Sequence, residues 1–346
     1  MSEQKKNNYS GHHEQLFRFL RSYLLFIAIA CGSVIFCFFH FIPAFSVFKP
    51  AAYYFSDNVL PLLIFLMLYL SFCRVKIHDM RPRLWHVVLF SITIVSSTLI
   101  AVYMHFHPQG GTFIILEGTI MCLLMPPAAA AAVIGGRLGG SEASIVTGIL
   151  IGNLISAIFI PILFPFFTSR LTGTFLDEFY LIASKIFPVI VLPLILAFIT
   201  KLFFKKILHF ITTTLKNLGF YLWTICLCTV SSRTISCIVN SPENAITLWS
   251  MALIGLLTTI FHFGIGKGFG NLYNQRISAG QAYGQRNGVF GLWVALSFLD
   301  PSAVIAPGCY ILWQNCVNSW QLANREKLLI KDQKQGIDPY KESEIN

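Results

Sequence analysis

Gly280-Gln281-Ala282-Tyr283-Gly284-Gln285-Arg286-Asn287-Gly288 opens an otherwise apolar run over residues 278–298. Three glycines and four strongly polar side chains within nine residues argue against a continuous helix there, because each Gly costs about 1 kcal/mol against Ala in a helix interior. The run is nevertheless as long as a bilayer-crossing helix, which needs about 20 mostly apolar residues. From a start near Ser278, a rise of 1.5 Å per residue places Arg286 about 12 Å in, close to the middle of a hydrocarbon layer about 30 Å thick. A helix broken at that depth is tolerated only where protein or water replaces the lost backbone bonds. This segment is therefore a membrane span with an interruption.

A second interruption lies upstream. Leu123-Leu124-Met125-Pro126-Pro127 is followed by the alanines Ala128 to Ala132 and then by Val133-Ile134-Gly135-Gly136. Paired prolines remove two backbone donors and clash with the preceding turn. The same length rule, applied to the whole chain, predicts ten spans at residues 22–45, 57–73, 84–106, 112–134, 143–167, 178–203, 217–239, 245–266, 278–298 and 301–322. The interrupted spans are then the fourth and the ninth, equivalent places in two five-helix halves. Five is odd, so the second half runs opposite to the first. Paired interrupted segments in inverted halves are the best sequence pointer to a transporter binding site. The expected fold is an all-α polytopic membrane protein, ten transmembrane helices in two inverted repeats, with discontinuous helices 4 and 9 crossing at Pro126, Pro127, Ala131, Ala132, Gly284 and Gly288.

Composition agrees. The 346 residues are 55% hydrophobic and only 12% charged, about half the charged share of a soluble domain. A soluble enzyme, a disordered chain and a disulfide scaffold are excluded; the nine cysteines are sparse, and most sit in apolar runs as small hydrophobes. The first run follows Lys5, Lys6, Arg18 and Arg21, yet it is too long for a signal peptide and has no small-residue cleavage site. Ala28-Ile29-Ala30-Cys31 is a poor lipoprotein box.

Orientation follows from the basic residues of short loops. With the N-terminus in the cytoplasm, 20 of the 25 Lys and Arg fall in inside segments, and only Lys49 and Arg170 fall outside. Both termini are then cytoplasmic: an N-terminal segment 1–21, a ten-helix domain 22–322, and a polar tail 323–346 expected to be helical only at its start. The net charge of +10 reports topology rather than a nucleic-acid partner. The partners expected are the lipid bilayer and a small solute, and the absence of organelle signals fits a bacterial cytoplasmic (inner) membrane. No residue pattern specifies an oligomeric state.

Several stretches resemble the bile acid:sodium symporter family. Gly284-Gln285-Arg286-Asn287-Gly288-Val289-Phe290-Gly291 is similar to its Gly-Met-Gln-Asn-Ser-Gly-Leu-Gly stretch in helix nine. Asp300-Pro301-Ser302-Ala303-Val304-Ile305-Ala306-Pro307-Gly308, with Trp313-Gln314-Asn315 beyond it, resembles the proline-flanked start and Trp-His-Asn end of helix ten. Met125-Pro126-Pro127 through Val133 occupies the place of its Cys-Pro-Gly-Gly-Thr-(small)-Ser-Asn motif, and Leu63 to Ser71 with the basic loop after it is similar to its second helix. The resemblance covers about residues 20 to 322, with strong motif matches over about a fifth of that. It implies a panel of helices 1, 2, 6 and 7 moving against a core of helices 3, 4, 5, 8, 9 and 10, and an organic-anion substrate such as a bile acid, steroid conjugate, pantoate-like acid or keto acid.

The departures bear on mechanism. The family's sodium sites use hydroxyl and amide oxygens after the helix-four break and an acidic residue before the helix-nine Gln. Here those positions fall on Ala131 and Ala132, and on Ala282 (or Gln281 one residue away), while the Gln becomes Arg286. A hard cation wants several oxygen ligands, and a guanidinium repels it. No metal or cofactor is expected, and sodium coupling through the usual sites is doubted. An Arg at this depth is a functional residue by default. Its charge stands in for the ion and its planar fork binds a carboxylate or sulfate, or it forms a buried pair with Glu117, or Glu117 carries a proton. The substrate-binding candidates are Arg286, Asn287, Gln285, Gln281 and Glu117.

Ser144, Thr147 and Asn153 could face the crossing, although interhelical hydrogen bonds are the commoner use of such residues. Lys185 and Arg233 are expected to snorkel. His209 and His262 have no metal-like spacing, and His105 and His107, two apart at a helix end, point to different faces. A membrane enzyme would show clustered Asp, His or Cys, so an enzyme is not expected. The function expected is secondary transport of a small organic anion by alternating access. A ligand-sensing receptor without transport and an auxin-efflux-like carrier are the alternatives. An arsenite-type permease is disfavoured because Met125 replaces the expected Cys.

Overall fold

Within hydrocarbon, an apolar run satisfies its backbone groups by coiling on itself, and every regular element among the described residues is helical. The computed structural model describes residues 27–74, 80–108, 111–168, 173–215 and 217–334. In chain order the helices are α1 (Ile27–Phe41), α2 (Lys49–Arg74, with a π turn at Phe55–Val59) and α3 (Leu84–Phe106). Next come α4 (Gly111–Leu124), α5 (Ala130–Arg137), α6 (Glu142–Leu163), α7 (Phe175–Phe203) and α8 (Lys205–Thr213). The rest are α9 (Leu218–Val239), α10 (Ala245–Leu272), α11 (Arg276–Gly284), α12 (Gly288–Phe298) and α13 (Ile305–Lys334). Among the described residues, six helices are long and apolar enough to cross a membrane, and α1, α4 and α12 contain shorter apolar stretches.

Polar residues set the ends. Ser141 accepts from the Ser144 N–H at the start of α6, Thr174 and Asp177 cap one another's backbone at the start of α7, and Asn244 caps α10; each satisfies donors that a helix start leaves free. Outer faces carry large apolar side chains, such as Phe187, Ile195 and Phe198 of α7 and Leu253, Leu257 and Ile260 of α10. An apolar surface of that extent marks contact with lipid rather than water.

Packing gathers the helices into two groups that also meet one another, α6 lying against α7. In one, α2 lies against α7 and α9, and α1 meets α9 where Gly32 sits so near the Cys228 carbonyl that an added Cβ would come within 2.6 Å of its oxygen. In the other, α10 packs on α4, α11 and α13, while α6 packs on α3, α5 and α11. Helix α12 touches members of both, α2 and α9 on one side and α4 and α13 on the other.

Three elements differ from the sequence expectations. Helix α8 occupies a stretch read as a loop, since Ile207, Leu208, Phe210 and Ile211 give it one apolar face behind Lys205, Lys206 and His209. The helix expected at 57–73 begins earlier, at Lys49. Helix α13 continues to Lys334, well beyond residue 322, carried by good helix formers such as Glu326, Lys327 and Leu328. The expected N-terminal segment 1–21, the first residues of the run 22–45 and the end of the tail lie outside the described residues.

Candidate functional site

Helices α4 and α5 are the two halves of the segment interrupted at Pro126-Pro127, and α11 and α12 those of the segment interrupted at Gln285-Arg286-Asn287. The interruptions meet. Pro127 and Arg286 form an antiparallel bridge, in which the Ala128 N–H donates to the Gln285 carbonyl at 2.8 Å and the Asn287 N–H to the Pro126 carbonyl at 2.7 Å. Each break thus supplies partners for groups that the other leaves free.

Side chains serve the remaining carbonyls. Ser156 Oγ donates to Leu124 O at 2.7 Å, Asn153 Nδ2 to Pro127 O at 3.3 Å, and Tyr310 Oη to Gly284 O at 2.7 Å. Gln314 clasps the Arg286 backbone from both sides, accepting from its N–H at 2.9 Å and donating to its carbonyl at 3.2 Å. Asn287 caps α12 by accepting from the Phe290 N–H at 3.3 Å. This accounting carries a prediction. Asn153→Leu leaves the buried Pro127 carbonyl without that donor, so it is expected to cost about 1–3 kcal/mol, read as a lower melting temperature of the purified protein.

The Arg286 side chain is buried in this crossing, 2% exposed. Its Nη1 donates to Met125 O at 3.0 Å, at the C-terminal end of α4, where the helix dipole presents partial negative charge. Its Cζ lies 4.7 Å from the centre of the Tyr283 ring, a cation–π distance. Among the described residues, Nε and Nη2 have no hydrogen-bond partner. These two nitrogens form one edge of the guanidinium, the edge that grips both oxygens of a carboxylate.

Glu117 does not fill it. The Glu117 side chain is buried, but its Oε2 accepts from the Asp300 N–H at 3.0 Å, seven residues and about 10 Å along α4 from the break at 1.5 Å per residue. Among the described residues, Glu117 and Arg286 form no ion pair, so that one of the alternatives read from the sequence is not seen. Gln285 and Gln281 do lie beside the break, in a buried amide cluster with α13. Asn318 Nδ2 donates to Gln285 Oε1, and Gln281 Nε2 donates to Asn318 Oδ1 at 3.1 Å and Gln321 Oε1 at 3.3 Å. Gln281 Oε1 is without a partner among the described residues.

Ala131 and Ala132 lie in the first turn of α5, just past the paired backbone, and present methyl groups. Gly284 and Gly288 flank the second break, each where a Cβ would collide, with Phe263 and Ile311 respectively. Of the α6 residues, Asn153 reaches the crossing, whereas Thr147 bonds its own helix at Ala143 O. Arg233 does more than snorkel: it lies 3.9 Å from Asp57 and 4.3 Å over the Tyr53 ring. Lys185 is exposed, its Nζ 5.5 Å from the centre of the Phe298 ring.

Sequence reading passed over His86, which ties α3 to α6. Its Nδ1 accepts from the Arg83 N–H at 2.9 Å, so its Nε2–H donates to Ser144 O at 2.9 Å. It also passed over Tyr310, Asn318 and Gln321, which take their meaning from the helix they face; the signal available was a row of amides on one side of α13.

The fold and the crossing define an all-helical, polytopic membrane protein organised around two interlocked helix breaks. In comparisons with protein-family models and with curated proteins, nothing matches the chain.

Proposed function

We propose that this protein is a secondary transporter of a small organic anion, with the anion bound on the free edge of Arg286 where α4–α5 and α11–α12 cross. The observation that carries the reading is the buried guanidinium whose Nε and Nη2 have no partner. In this reading the chain has ten spans in two inverted five-helix repeats, with both termini cytoplasmic, in a bacterial inner membrane. Helices α1, α2, α7 and α9 form a panel that rocks against the crossing helices, and α4, α5, α11 and α12 move as one piece, because their backbones are bonded to one another. The resemblance to the bile acid:sodium symporters supports the same architecture.

Sodium does not suit this crossing. Ala131, Ala132 and Ala282 carry no ligand oxygen, and the Met125 carbonyl is taken by Arg286 Nη1. The fixed charge of Arg286 occupies the role that a coupling cation has elsewhere, so binding is expected to be independent of sodium. The test is thermal stabilisation of the detergent-purified protein by benzoate, benzenesulfonate and keto acids, each in sodium or potassium chloride, since a ligand of the folded state raises its stability. Stabilisation by at least one anion, equal in both salts, is expected. Stabilisation only in sodium sinks the assignment of Arg286, and stabilisation by none of the anions sinks the anion site.

A further inference from the structure

Beside Arg286 lies a second buried ionisable group that the anion site does not use. His262, on α10, has no exposed surface. Tyr310 Oη has one hydrogen, and it goes to the Gly284 carbonyl at 2.7 Å, so the Tyr310 oxygen accepts from His262 Nδ1–H at 3.0 Å. That fixes the tautomer. His262 Nε2 carries the lone pair, buried and without a partner among the described residues, an arrangement that costs stability.

His262 is tied to the anion site through Tyr283. The His262 and Tyr283 ring centres are 4.9 Å apart, edge to face, and the Arg286 Cζ is 4.7 Å from the same Tyr283 ring. The two basic groups therefore lie within about 10 Å of one another, across one aromatic ring. Among the described residues, the titratable groups in contact with His262 are Tyr283 from α11 and Tyr310 from α13; further along the same face of α10, Cys309 of α13 lies against Gly255 and Cys122 of α4 faces Thr258. On α3, His86 is turned to Ser144 O, and Glu117 of α4 to the Asp300 N–H.

We infer that His262 is a proton-binding site coupled to the anion on Arg286, so that the protein takes up its anion together with a proton. This rests on the proposed anion site. The proton comes from water and adds to the Nε2 lone pair, giving an imidazolium whose Nδ1–H keeps its bond to Tyr310. A proton there and the bare guanidinium repel; an anion on Arg286 cancels the repulsion. Each ligand then favours the other by the same factor, roughly tenfold for unit charges about 10 Å apart at an effective dielectric constant near 20. The crossing also carries the same charge when doubly loaded as when empty, so a round trip moves anion and proton without net charge.

The test uses benzenesulfonate, which stays anionic across the range, and measures its affinity for the purified full-length chain from pH 8 down to pH 4. Wild-type affinity is expected to rise about tenfold towards low pH. His262→Asn, whose amide can still donate to Tyr310, is expected to bind with little pH dependence. Arg286→Lys is expected to bind weakly at every pH. A flat wild-type profile, which needs no variant to fold, or an unchanged slope in His262→Asn, overturns the proton site and leaves the anion site standing. No benzenesulfonate binding at any pH, or full affinity in Arg286→Lys, overturns both.

Discussion

Arg286→Gln is expected to lower the affinity for a carboxylate or sulfonate anion by about 30-fold or more, whereas Lys185→Gln changes it less than twofold. The size follows from the surroundings. A buried charge pair that loses one partner typically costs 2–5 kcal/mol, which is roughly a factor of 30 to several thousand. Gln keeps one donor for the Met125 carbonyl but has neither the charge nor the two-nitrogen edge. Lys185 lies on the outer face of α7 beside Phe298 and away from the crossing, so it has no part in the proposed site. Equal, small losses in the two variants would remove Arg286 from the site. Arg286→Lys separates charge from shape, because Lys keeps the first and loses the planar fork.

The second large effect concerns Gly152. An added Cβ there would come within 2.5 Å of Pro127 Cγ and 2.7 Å of Phe90 Cε1. Both are rings, and Pro127 belongs to the paired backbone of the crossing, so neither can swing aside. Gly152→Ala is expected to cost about 1–3 kcal/mol through overpacking, and Gly152→Val to yield little or no folded protein. Gly219, in the first turn of α9, has nothing within 4 Å of a built Cβ; Gly219→Ala is expected to be neutral or to stabilise by up to about 1 kcal/mol. Melting temperatures of the purified variants give the comparison. A Gly152→Ala protein as stable as wild type would mean that the helices are farther apart than described.

Both interruptions were legible because Pro126-Pro127 and the Gly284-to-Gly288 stretch act locally, through lost donors and weak helix propensity. Arg286 stood out for the same reason: its cost depends on depth, and depth follows from counting residues. The contact of Glu117 with the Asp300 N–H was not legible, because the two are 183 residues apart in the chain. The amides of α13 sit on a helix whose polar side chains could face any neighbour, so Asn318 and Gln321 gained meaning only from Gln281 and Gln285. Helix α8 was hidden by its charge, Lys205 and Lys206 outweighing an apolar face of four residues.

At the crossing the strands of the two breaks hold each other by main-chain atoms, through Ala128 with Gln285 and Asn287 with Pro126. An amide and a carbonyl are present at nearly every position whatever the side chain. The pairing is therefore insensitive to which side chains stand at these positions, provided that Ala128 and Asn287, which donate, are not replaced by proline. The two interrupted helices stay locked together while the side chains around them change, so the scaffold and its lining answer to different atoms.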